Sequence, residues 1–486
     1  MDRSRSTTVT QGSDLPIRLL AEQAFSRAAG APVVCGNRIR LLKDAGENYP
    51  AWLEALGSAK KTIHFESYII HEDEVGRQFA EVLVKKALQG VTVRVIYDWV
   101  GALGKTSRRF WRRLRDAGVQ VRCFNPPRID SPLNWFSRDH RKMIGVDGRI
   151  AFVTGLCVGQ MWLGFPKRKI PPWRDTGIEV HGPAVADIER AFSDMWATSG
   201  DPLPADEVPD QDAIPPAGDI ALRVIATVPN TASLYRLDQL IAVLARRSLW
   251  LTDAYFIGAT PYIQALRSAA RDGVDVRLLV PGSTDIPILR GLSRAGYQPL
   301  LEAGVRVFEW NGPMIHAKTA VADSHWARVG STNLNISSWM GNYELDVAAE
   351  DEPFARRMEE MYLEDLAGAT EILLTRRHRV RLATKRQRPS LRQRRIRAGG
   401  SVGRAGTSAV RLSNTIGAAI TNHRILGPAE ARITGPAGLV LIVFAAVILL
   451  FPRIATVPMA ILAAWVGTSL LIRTYRLLRK KGEARE

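Results

Sequence analysis

The chain carries the segment HRKMIGVD at residues 140–147 and the segment HAKTAVAD at residues 316–323. In each segment a lysine follows the histidine by two residues and an aspartate follows it by seven. The shared positions are His140, Lys142 and Asp147 in the first copy and His316, Lys318 and Asp323 in the second. Average residue usage places one such match by chance in roughly a few per cent of chains this long. The repetition therefore predicts two half-sites that join into one centre.

The residue types of this pattern favour chemistry at phosphorus. A neutral imidazole is a nucleophile near pH 7 because its unperturbed pKa lies close to that pH. With two rings, one attacks phosphorus while the other protonates the leaving oxygen and then serves as base for an incoming alcohol or water. Two lysines stabilise charge on the phosphoryl oxygens. We expect no metal and no cofactor, since the sequence lacks Cys-x-x-Cys and His-Glu-x-x-His spacings.

Each motif reads as a strand, a tight turn and a second strand, for example 142–147 followed by 150–154. Alternation of period two then places the histidine and the lysine on one face of a strand. The two halves also align outside the motifs, as 63–69 with 249–256 and 90–96 with 273–279. Helical patterns separate these strands, which predicts two α/β sandwich repeats with a largely parallel sheet. The repeats form a pseudo-dimer that brings both motifs to a pseudo-two-fold axis.

At these residues the sequence resembles the phospholipase D superfamily, whose signature is His-x-Lys-x4-Asp followed by Gly-Ser/Gly-x-Asn. The second copy matches completely, with 330–333 reading Gly-Ser-Thr-Asn, whereas the first has Cys157 where the second has Asn333. Within the superfamily the likeness is to bacterial cardiolipin synthases and runs from about residue 35 to about residue 370. The supporting stretches are 47–50, 65–69, 173–176 and 330–334.

The resemblance implies a role for each site residue. His140 forms a covalent phosphohistidine, His316 is the general acid and base, and the two lysines bind phosphate. Asp147 and Asp323 complete the catalytic motifs, and we expect them to support the motif structurally instead of touching phosphate. Ser331 and Asn333 are the predicted substrate-binding residues of the second copy. Asp175 and Glu344, each downstream of a motif, are the predicted acids that orient the histidine rings, because a carboxylate that accepts the far ring N–H determines the tautomer.

Changes in composition divide the chain into seven predicted segments. These are an N-terminal segment 1–34, a first phospholipase D-like repeat 35–199, a linker 200–219, a second repeat 220–371, a basic linker 372–432, a transmembrane helical hairpin 433–472 and a basic tail 473–486. The hairpin is predicted from two uncharged runs, 433–452 and 454–472, that approach the ~20 residues needed to cross a bilayer. The alternative is a buried helical pair in a soluble domain.

Charge is concentrated outside the predicted catalytic part. Of the formal net charge of +18, the stretch from Ile372 onward contributes 22 basic and 3 acidic residues, so the rest of the chain is close to neutral. This distribution suits anionic lipid headgroups and disfavours nucleic acid, which needs positive charge around the active centre. Basic residues crowd both outer ends of the hairpin, so the positive-inside bias places the catalytic part on the cytoplasmic face of a bacterial inner (cytoplasmic) membrane. The three cysteines are too few for a disulfide framework and suit a reducing compartment.

Two loops are candidates for lipid contact. Residues 132–136 contain a Trp-Phe pair, and 162–173 mixes tryptophan with basic residues, which is the composition of an interfacial anchor. The alternative is that these loops cap the cleft.

The resemblance thus predicts a phosphatidyltransferase that moves a phosphatidyl group from one phospholipid, with phosphatidylglycerol as the expected donor, to a hydroxyl of another. Two alternatives remain open at this point. One is a hydrolytic phospholipase D that releases phosphatidic acid, and the other is a phosphodiesterase that acts on nucleic acid. A scaffold without activity is disfavoured because both His–Lys pairs are intact.

Overall fold

The computed structural model describes residues 15–127, 137–285, 293–294, 296–374 and 380–382, together with short stretches between 442 and 471. The first candidate lipid loop, most of the basic linker, most of the hairpin and the basic tail lie outside the described residues. Within the described part of the chain, no helix has both the length and the apolar character needed to cross a bilayer.

Sixteen described strands form one continuous sheet. The first repeat contributes β1 (Val34–Lys43), β2 (Thr62–Ser67), β3 (Thr92–Asp98), β4 (Gln120–Phe124), β5 (Lys142–Val146), β6 (Ile150–Thr154) and β7 (Thr176–His181). The second contributes β8 (Ile220–Thr227), β9 (Ser248–Thr252), β10 (Asp275–Pro281), β11 (Arg306–Trp310), β12 (Thr319–Ala322), β13 (Trp326–Gly330), β14 (Glu344–Glu350), β15 (Ala369–Leu374) and β16 (Val380–Leu382).

Helices cover both faces of this sheet. The described α-helices are α1 (Leu15–Ala29), α2 (Asp44–Ser58), α3 (Glu74–Leu88), α4 (Trp99–Ala102), α5 (Arg108–Asp116), α6 (Gln160–Leu163), α7 (Ala184–Ala197), α8 (Ser233–Leu244), α9 (Thr260–Arg271), α10 (Tyr297–Glu302) and α11 (Glu352–Ala367). Short 3₁₀ turns lie at Pro166–Arg168, Ala205–Glu207 and Gln211–Ala213, and a π-helical turn lies at Ser337–Gly341.

The strand order is symmetric about the centre of the sheet. Outward from the central antiparallel pair of β1 and β8, one half reads β1-β7-β6-β5-β2-β3-β4 and the other reads β8-β14-β13-β12-β9-β10-β11. Corresponding strands therefore occupy corresponding positions in the two halves. The prediction of two α/β repeats is confirmed, and the repeats share a single sheet.

The prediction of a largely parallel sheet is wrong. Parallel pairing is confined to β2-β3-β4 and β9-β10-β11, whereas every other described pair of neighbouring strands is antiparallel. The reason lies in the motifs themselves. Each is followed by a short turn into the next strand, and such a turn joins antiparallel strands only, because a parallel crossover needs a dozen or more residues.

A shared core joins the two repeats. One cluster of buried apolar side chains runs from α7 and β7 of the first repeat to β13, β14 and α11 of the second. Phe192 and Met195 of α7 and Ala355 and Met358 of α11 are 0–1 % exposed within it. Two further clusters fill the individual repeats. Because the central cluster crosses the pseudo-two-fold axis, it sets how the motif of one half faces the other half.

Candidate active site

The two motifs begin where the central parallel strands end. Lys142, the first residue of β5, pairs with Ser67 at the end of β2, and Thr319 at the start of β12 pairs with Thr252 at the end of β9. In each repeat the His-Lys pair therefore lies at the carboxyl edge of the parallel strands. This is the edge at which α/β sheets place their ligand sites.

Backbone hydrogen bonds tie the start of each motif to the opposite repeat. His140 N–H donates to the Tyr343 carbonyl at 2.9 Å, and His316 N–H donates to the Arg174 carbonyl at 2.7 Å. The residue after each acceptor is one of the two predicted ring-orienting acids. These backbone hydrogen bonds thus place Glu344 next to His140 and Asp175 next to His316.

The side chains complete this crossed arrangement. With the proton on Nδ1, His140 donates to Glu344 Oε2 at 2.8 Å and His316 donates to Asp175 Oδ2 at 2.7 Å. Each carboxylate thus contacts the ring of the other repeat, not the ring of the motif that it follows in sequence. Both rings and both carboxylates are buried. A carboxylate on Nδ1 selects the tautomer whose Nε2 carries a free lone pair.

Burial keeps both rings neutral. Burial, reinforced by Lys318 and partly offset by Asp175, lowers the pKa of His316 to about 3. Burial likewise lowers the pKa of His140, although Glu344 partly offsets this. The carboxylates stay ionised, because the histidine and lysine contacts outweigh burial and hold the pKa values of Asp175 and Glu344 below their usual range. At rest, each half-site holds a neutral imidazole against a carboxylate.

Two buried lysines supply the positive charge of the site. Lys142 Nζ donates to the His140 carbonyl and Lys318 Nζ donates to the His316 carbonyl. Both side chains are at most 2 % exposed. Burial, opposed by Asp175 and reinforced by Lys142, lowers the pKa of Lys318 to about 8. Two ammonium groups in one buried site favour an anionic ligand, since each lowers the cost of binding negative charge.

The structure places the motif aspartates away from the imidazoles and the lysines. Asp147 accepts backbone N–H groups of Lys60, Lys61 and Thr62 at 2.7–2.9 Å. Asp323 accepts those of Arg246, Arg247 and Ser248 at 2.7–2.9 Å. Both lie at the turn that follows the motif strand, so the length of that strand separates them from the imidazoles. These contacts support the structural role expected for both aspartates, which stays a prediction.

Ser331 and Asn333, in the Gly-Ser-Thr-Asn stretch after the second motif, have different surroundings. Ser331 Oγ donates to Glu344 Oε2 at 2.6 Å, so its proton is used to hold the acid that orients His140. The contact of Ser331 with substrate stays a prediction. Asn333 is buried, and its Oδ1 has no donor within the described residues. Its predicted contact with substrate stays a prediction.

Cys157 stands where the first copy departs from the pattern. Its thiol is buried, which raises its pKa, and Lys142 and Lys318 are the charged groups that oppose this shift. A neutral thiol thus lies near both lysines. In the first repeat, Trp162 takes over the support of the acid, because its Nε1–H donates to Asp175 Oδ2 at 3.0 Å.

Aromatic rings surround the imidazoles, and sequence reasoning did not assign them to the site. Tyr68 lies 5.0 Å from His140 between ring centroids. Trp162, Trp173 and Tyr255 lie 5.8–5.9 Å from His316. The signal in the sequence was the tyrosine near the end of each aligned strand and the tryptophans that flank residues 162–173. Trp162 and Trp173, at the two ends of that loop, both contact His316. The two ends therefore cap the cleft, as one of the two interpretations of the loop expected.

Arg174 and Arg141 hold the crossed segments in place. Arg174 donates to Asp44 Oδ1 at 3.0 Å in the first repeat and to Asp365 Oδ1 at 2.7 Å in the second. Arg141 donates to the Ala191 carbonyl at 2.7 Å and to the Glu344 carbonyl at 3.3 Å. Each buried guanidinium therefore bridges the repeats next to an orienting acid.

No three His, Cys, Asp or Glu side chains among the described residues are arranged to hold a metal ion. What the site offers is two Nε2 lone pairs, two ammonium groups and a fixed proton on each Nδ1. This set suits nucleophilic attack and proton transfer at a phosphodiester.

The chain is similar to known proteins. Residues 52–161 and 240–366 match the family model described as "Cardiolipin synthase, PLD-like domain". Cardiolipin synthase A of Pseudomonas fluorescens (strain SBW25) is 36% identical over 357 residues, which cover 72% of this chain and 73% of that protein. The cardiolipin synthase of Alkalihalophilus pseudofirmus is 33% identical over 351 residues, which cover 70% and 68%.

A solved structure supports the fold alone. The phosphatidylserine synthase of Haemophilus influenzae Rd KW20 superposes with a TM-score of 0.58 at 14% identity, over 72% of this chain and 92% of that one. The family model and the curated relatives confirm the predicted family. The chain belongs to the cardiolipin synthase family and is a phosphatidyltransferase of the phospholipase D superfamily.

Proposed function

We propose that the enzyme transfers a phosphatidyl group from phosphatidylglycerol to a hydroxyl of a second phosphatidylglycerol through a phosphohistidine, and so produces cardiolipin and glycerol. The observation that carries the proposal is the crossed pair of buried imidazoles, each oriented by a carboxylate of the other repeat, next to two buried lysines. The curated relatives named as cardiolipin synthases support the choice of substrate and product.

In the first step, His140 Nε2 attacks phosphorus and the P–O bond to the glycerol headgroup breaks. The Glu344 carboxylate stabilises the positive charge that develops on this ring. His316 donates a proton from Nε2 to the departing glycerol oxygen. Burial and Lys318 lower the pKa of His316. A bound phosphodiester anion offsets that lysine charge and raises the pKa of His316, so the acid becomes protonated when substrate is present.

In the second step, His316 Nε2 removes the proton from the hydroxyl of the second lipid while that oxygen attacks phosphorus. The bond between phosphorus and His140 Nε2 breaks, and cardiolipin leaves. Lys142 and Lys318 stabilise the charge on the phosphoryl oxygens in both transition states. Each histidine returns to its starting protonation state.

Product analysis tests the transfer. Purified full-length protein incubated with glycerol-labelled phosphatidylglycerol in vesicles is expected to release labelled glycerol and to form an equal amount of cardiolipin, measured by mass spectrometry. Phosphatidic acid without cardiolipin would instead establish hydrolysis. His140→Ala and His316→Ala should each lower the rate by at least about 10²-fold, since each removes an acid–base or nucleophilic group.

Trapping the intermediate assigns the two rings. A rapid denaturing quench followed by peptide mapping should place the phosphatidyl group on the peptide that contains His140. Label on the peptide that contains His316 would reverse the order of attack. Because the two rings are related by pseudo-symmetry, only this measurement separates their roles.

We further propose that residues 433–472 form a membrane hairpin, with the catalytic part on the cytoplasmic face of the membrane. The support is the pair of uncharged runs and the basic residues at their outer ends. Carbonate extraction of membranes should leave the full chain in the pellet and release a chain truncated before Ile372. Retention of the truncated chain would assign membrane anchoring to the catalytic part.

A further inference from the structure

Two buried carboxyl groups that the mechanism does not use lie together beneath the first motif. Glu66 belongs to β2 and is 1 % exposed, and Asp139 directly precedes His140 and is 0 % exposed. Glu66 pairs with Met143, which lies on the same side of the motif strand as Asp139, and each of the two carboxyl groups shifts the pKa of the other. Since alternate residues of a strand face opposite sides, Asp139 shares its side with Arg141 and not with His140 and Lys142. The pair therefore supports the motif from behind.

The pair lacks hydrogen-bond donors. Both Glu66 oxygens and Asp139 Oδ2 are buried and find no N–H or O–H donor in the part of the chain that the structure describes. Asp139 Oδ1 accepts only a long bond of 3.3 Å from the Arg141 backbone N–H. Two buried carboxylates without donors repel each other and lose their hydration, whereas one proton between them removes both costs.

The surrounding charges balance a pair that carries one negative charge. Arg141 and Lys142 are the cations that act on Glu66, and Asp98 is a further anion near Asp139. Asp98 itself is paired with Arg138 at 3.4 Å. His64, which lies two residues before Glu66 on the same face of β2, is paired with Glu189 of α7. With Lys142 committed to phosphate, Arg141 remains as the counter-charge of the pair.

The pair lies next to the contact between the two repeats that places His140 against Glu344. Asp139 and Tyr343 form a bridge between the repeats, next to the hydrogen bond from His140 N–H to the Tyr343 carbonyl. Glu344, the acid that orients His140, is the next residue. Arg141 reaches from the pair to the Glu344 carbonyl. Any shift of Asp139 or Arg141 therefore moves His140 relative to Glu344.

We propose that Glu66 and Asp139 share one proton and that this pair, balanced by Arg141, is a positioning device that holds His140 against Glu344. The second repeat has no such pair, because Thr252 and Ile315 stand at the corresponding positions. The device thus belongs to one half-site, the half that contains the proposed nucleophile. Burial, reinforced by Asp139, raises the pKa of Glu66 well above its usual range, which agrees with a proton held at neutral pH.

Infrared difference spectroscopy of the full-length protein tests the shared proton. The wild-type chain is expected to show the C=O stretch of a protonated carboxyl group at pH 7 that is missing in Glu66→Gln. Glu189→Gln, which changes a buried carboxylate on the same face away from Asp139, should retain the band. A wild-type spectrum without the band, or a band that survives in Glu66→Gln, overturns the proposal.

Kinetics tests the positioning role, and this readout alone rests on the proposed function. Glutamine keeps the N–H donor toward Asp139, so Glu66→Gln should keep kcat within about twofold, whereas Glu66→Leu should lose about 10–100-fold in kcat with KM nearly unchanged. Equal kcat in both variants, or equal loss in both, contradicts the role. A wild-type protein that forms no cardiolipin would refute the proposed function, while the infrared band would still report on the pair.

Discussion

Each imidazole of the site depends on a carboxylate that lies far away in sequence. His140 and Glu344 are 204 residues apart, and His316 and Asp175 are 141 apart. Ser331 and Asn342 further hold Glu344, at 2.6 and 3.2 Å. Because the acid of one repeat orients the ring of the other, neither repeat has a complete half-site by itself. This dependence explains why the two motifs occur in one chain with a shared core.

Removal of the charge on either orienting acid should slow chemistry more than binding. Glu344→Gln and Asp175→Asn are expected to lower kcat by about 10²–10³-fold with little change in KM, because an amide can present its N–H to Nδ1 and favour the wrong tautomer. Steady-state rates on phosphatidylglycerol vesicles measure this. Glu371→Gln, which alters an exposed ion pair with Arg306, serves as the control and should leave kcat unchanged. A rise in KM alone would indicate that the acids bind substrate.

The pKa of Lys318 predicts an alkaline limit of activity. Its value of about 8 means that the ammonium group is present below this pH and is lost as the pH rises through it. The rate should therefore fall above about pH 8, measured as kcat/KM against pH. Lys318→Arg retains the charge at all these pH values, so its residual activity should show no fall in this range. The same fall of kcat/KM above about pH 8 in the wild type and in the variant would assign the titration to another group.

The motif hairpin runs from the carboxyl edge of the parallel strands to the opposite edge of the sheet. Its histidine and lysine stand at the carboxyl edge of the parallel strands, and its aspartate binds backbone N–H groups at the opposite edge. Asp147 and Asp323 have φ values of 54° and 52°, within the left-handed region that asparagine and aspartate tolerate better than other residues with side chains. One short element thus carries both the reactive group and its own anchor.

Loss of that anchor should cost stability and spare chemistry. Asp147→Ala removes the acceptor of three backbone N–H groups, which is expected to lower the free energy of unfolding by roughly 1–3 kcal/mol. Denaturant unfolding of the purified protein measures this, and the kcat of the folded fraction should stay within about twofold. Asp272→Ala, at the exposed end of α9, is the matched control. A large fall in kcat without loss of stability would place Asp147 among the catalytic residues.

The whole molecule presents its site at one edge of a single sheet, and basic residues lie at that edge. The loop that follows α6 exposes Lys167, Arg168 and Lys169, and Leu163 before them is 37% exposed. Trp162 and Trp173, at the two ends of the loop, contact His316. The exposed middle of the loop stays the candidate for lipid contact, while its ends line the site. At an anionic membrane surface, each basic residue contributes about 1 kcal/mol to attraction.

Reversal of these charges should weaken the action on anionic bilayers. The triple variant Lys167→Glu, Arg168→Glu, Lys169→Glu is expected to raise the apparent KM for phosphatidylglycerol in vesicles about tenfold or more, and added salt should narrow the difference from wild type. Lys60→Glu with Lys61→Glu is the control, because these exposed lysines precede β2 at the opposite edge of the sheet. An equal effect of both variants would indicate a general dependence on net charge.

The sequence alone determined the features that depend on neighbouring residues. The spacing within residues 140–147 and 316–323 predicted the motif strands, the paired His–Lys groups and the duplicated fold, because strand periodicity and tight turns are set by neighbouring residues. The identity of Asp175 and Glu344 came from resemblance. Tertiary structure decided which ring each acid orients, the antiparallel majority of the sheet, and the proximity of Glu66 to Asp139. These depend on how two distant halves pack about a common axis, and no local pattern encodes a partner more than a hundred residues away.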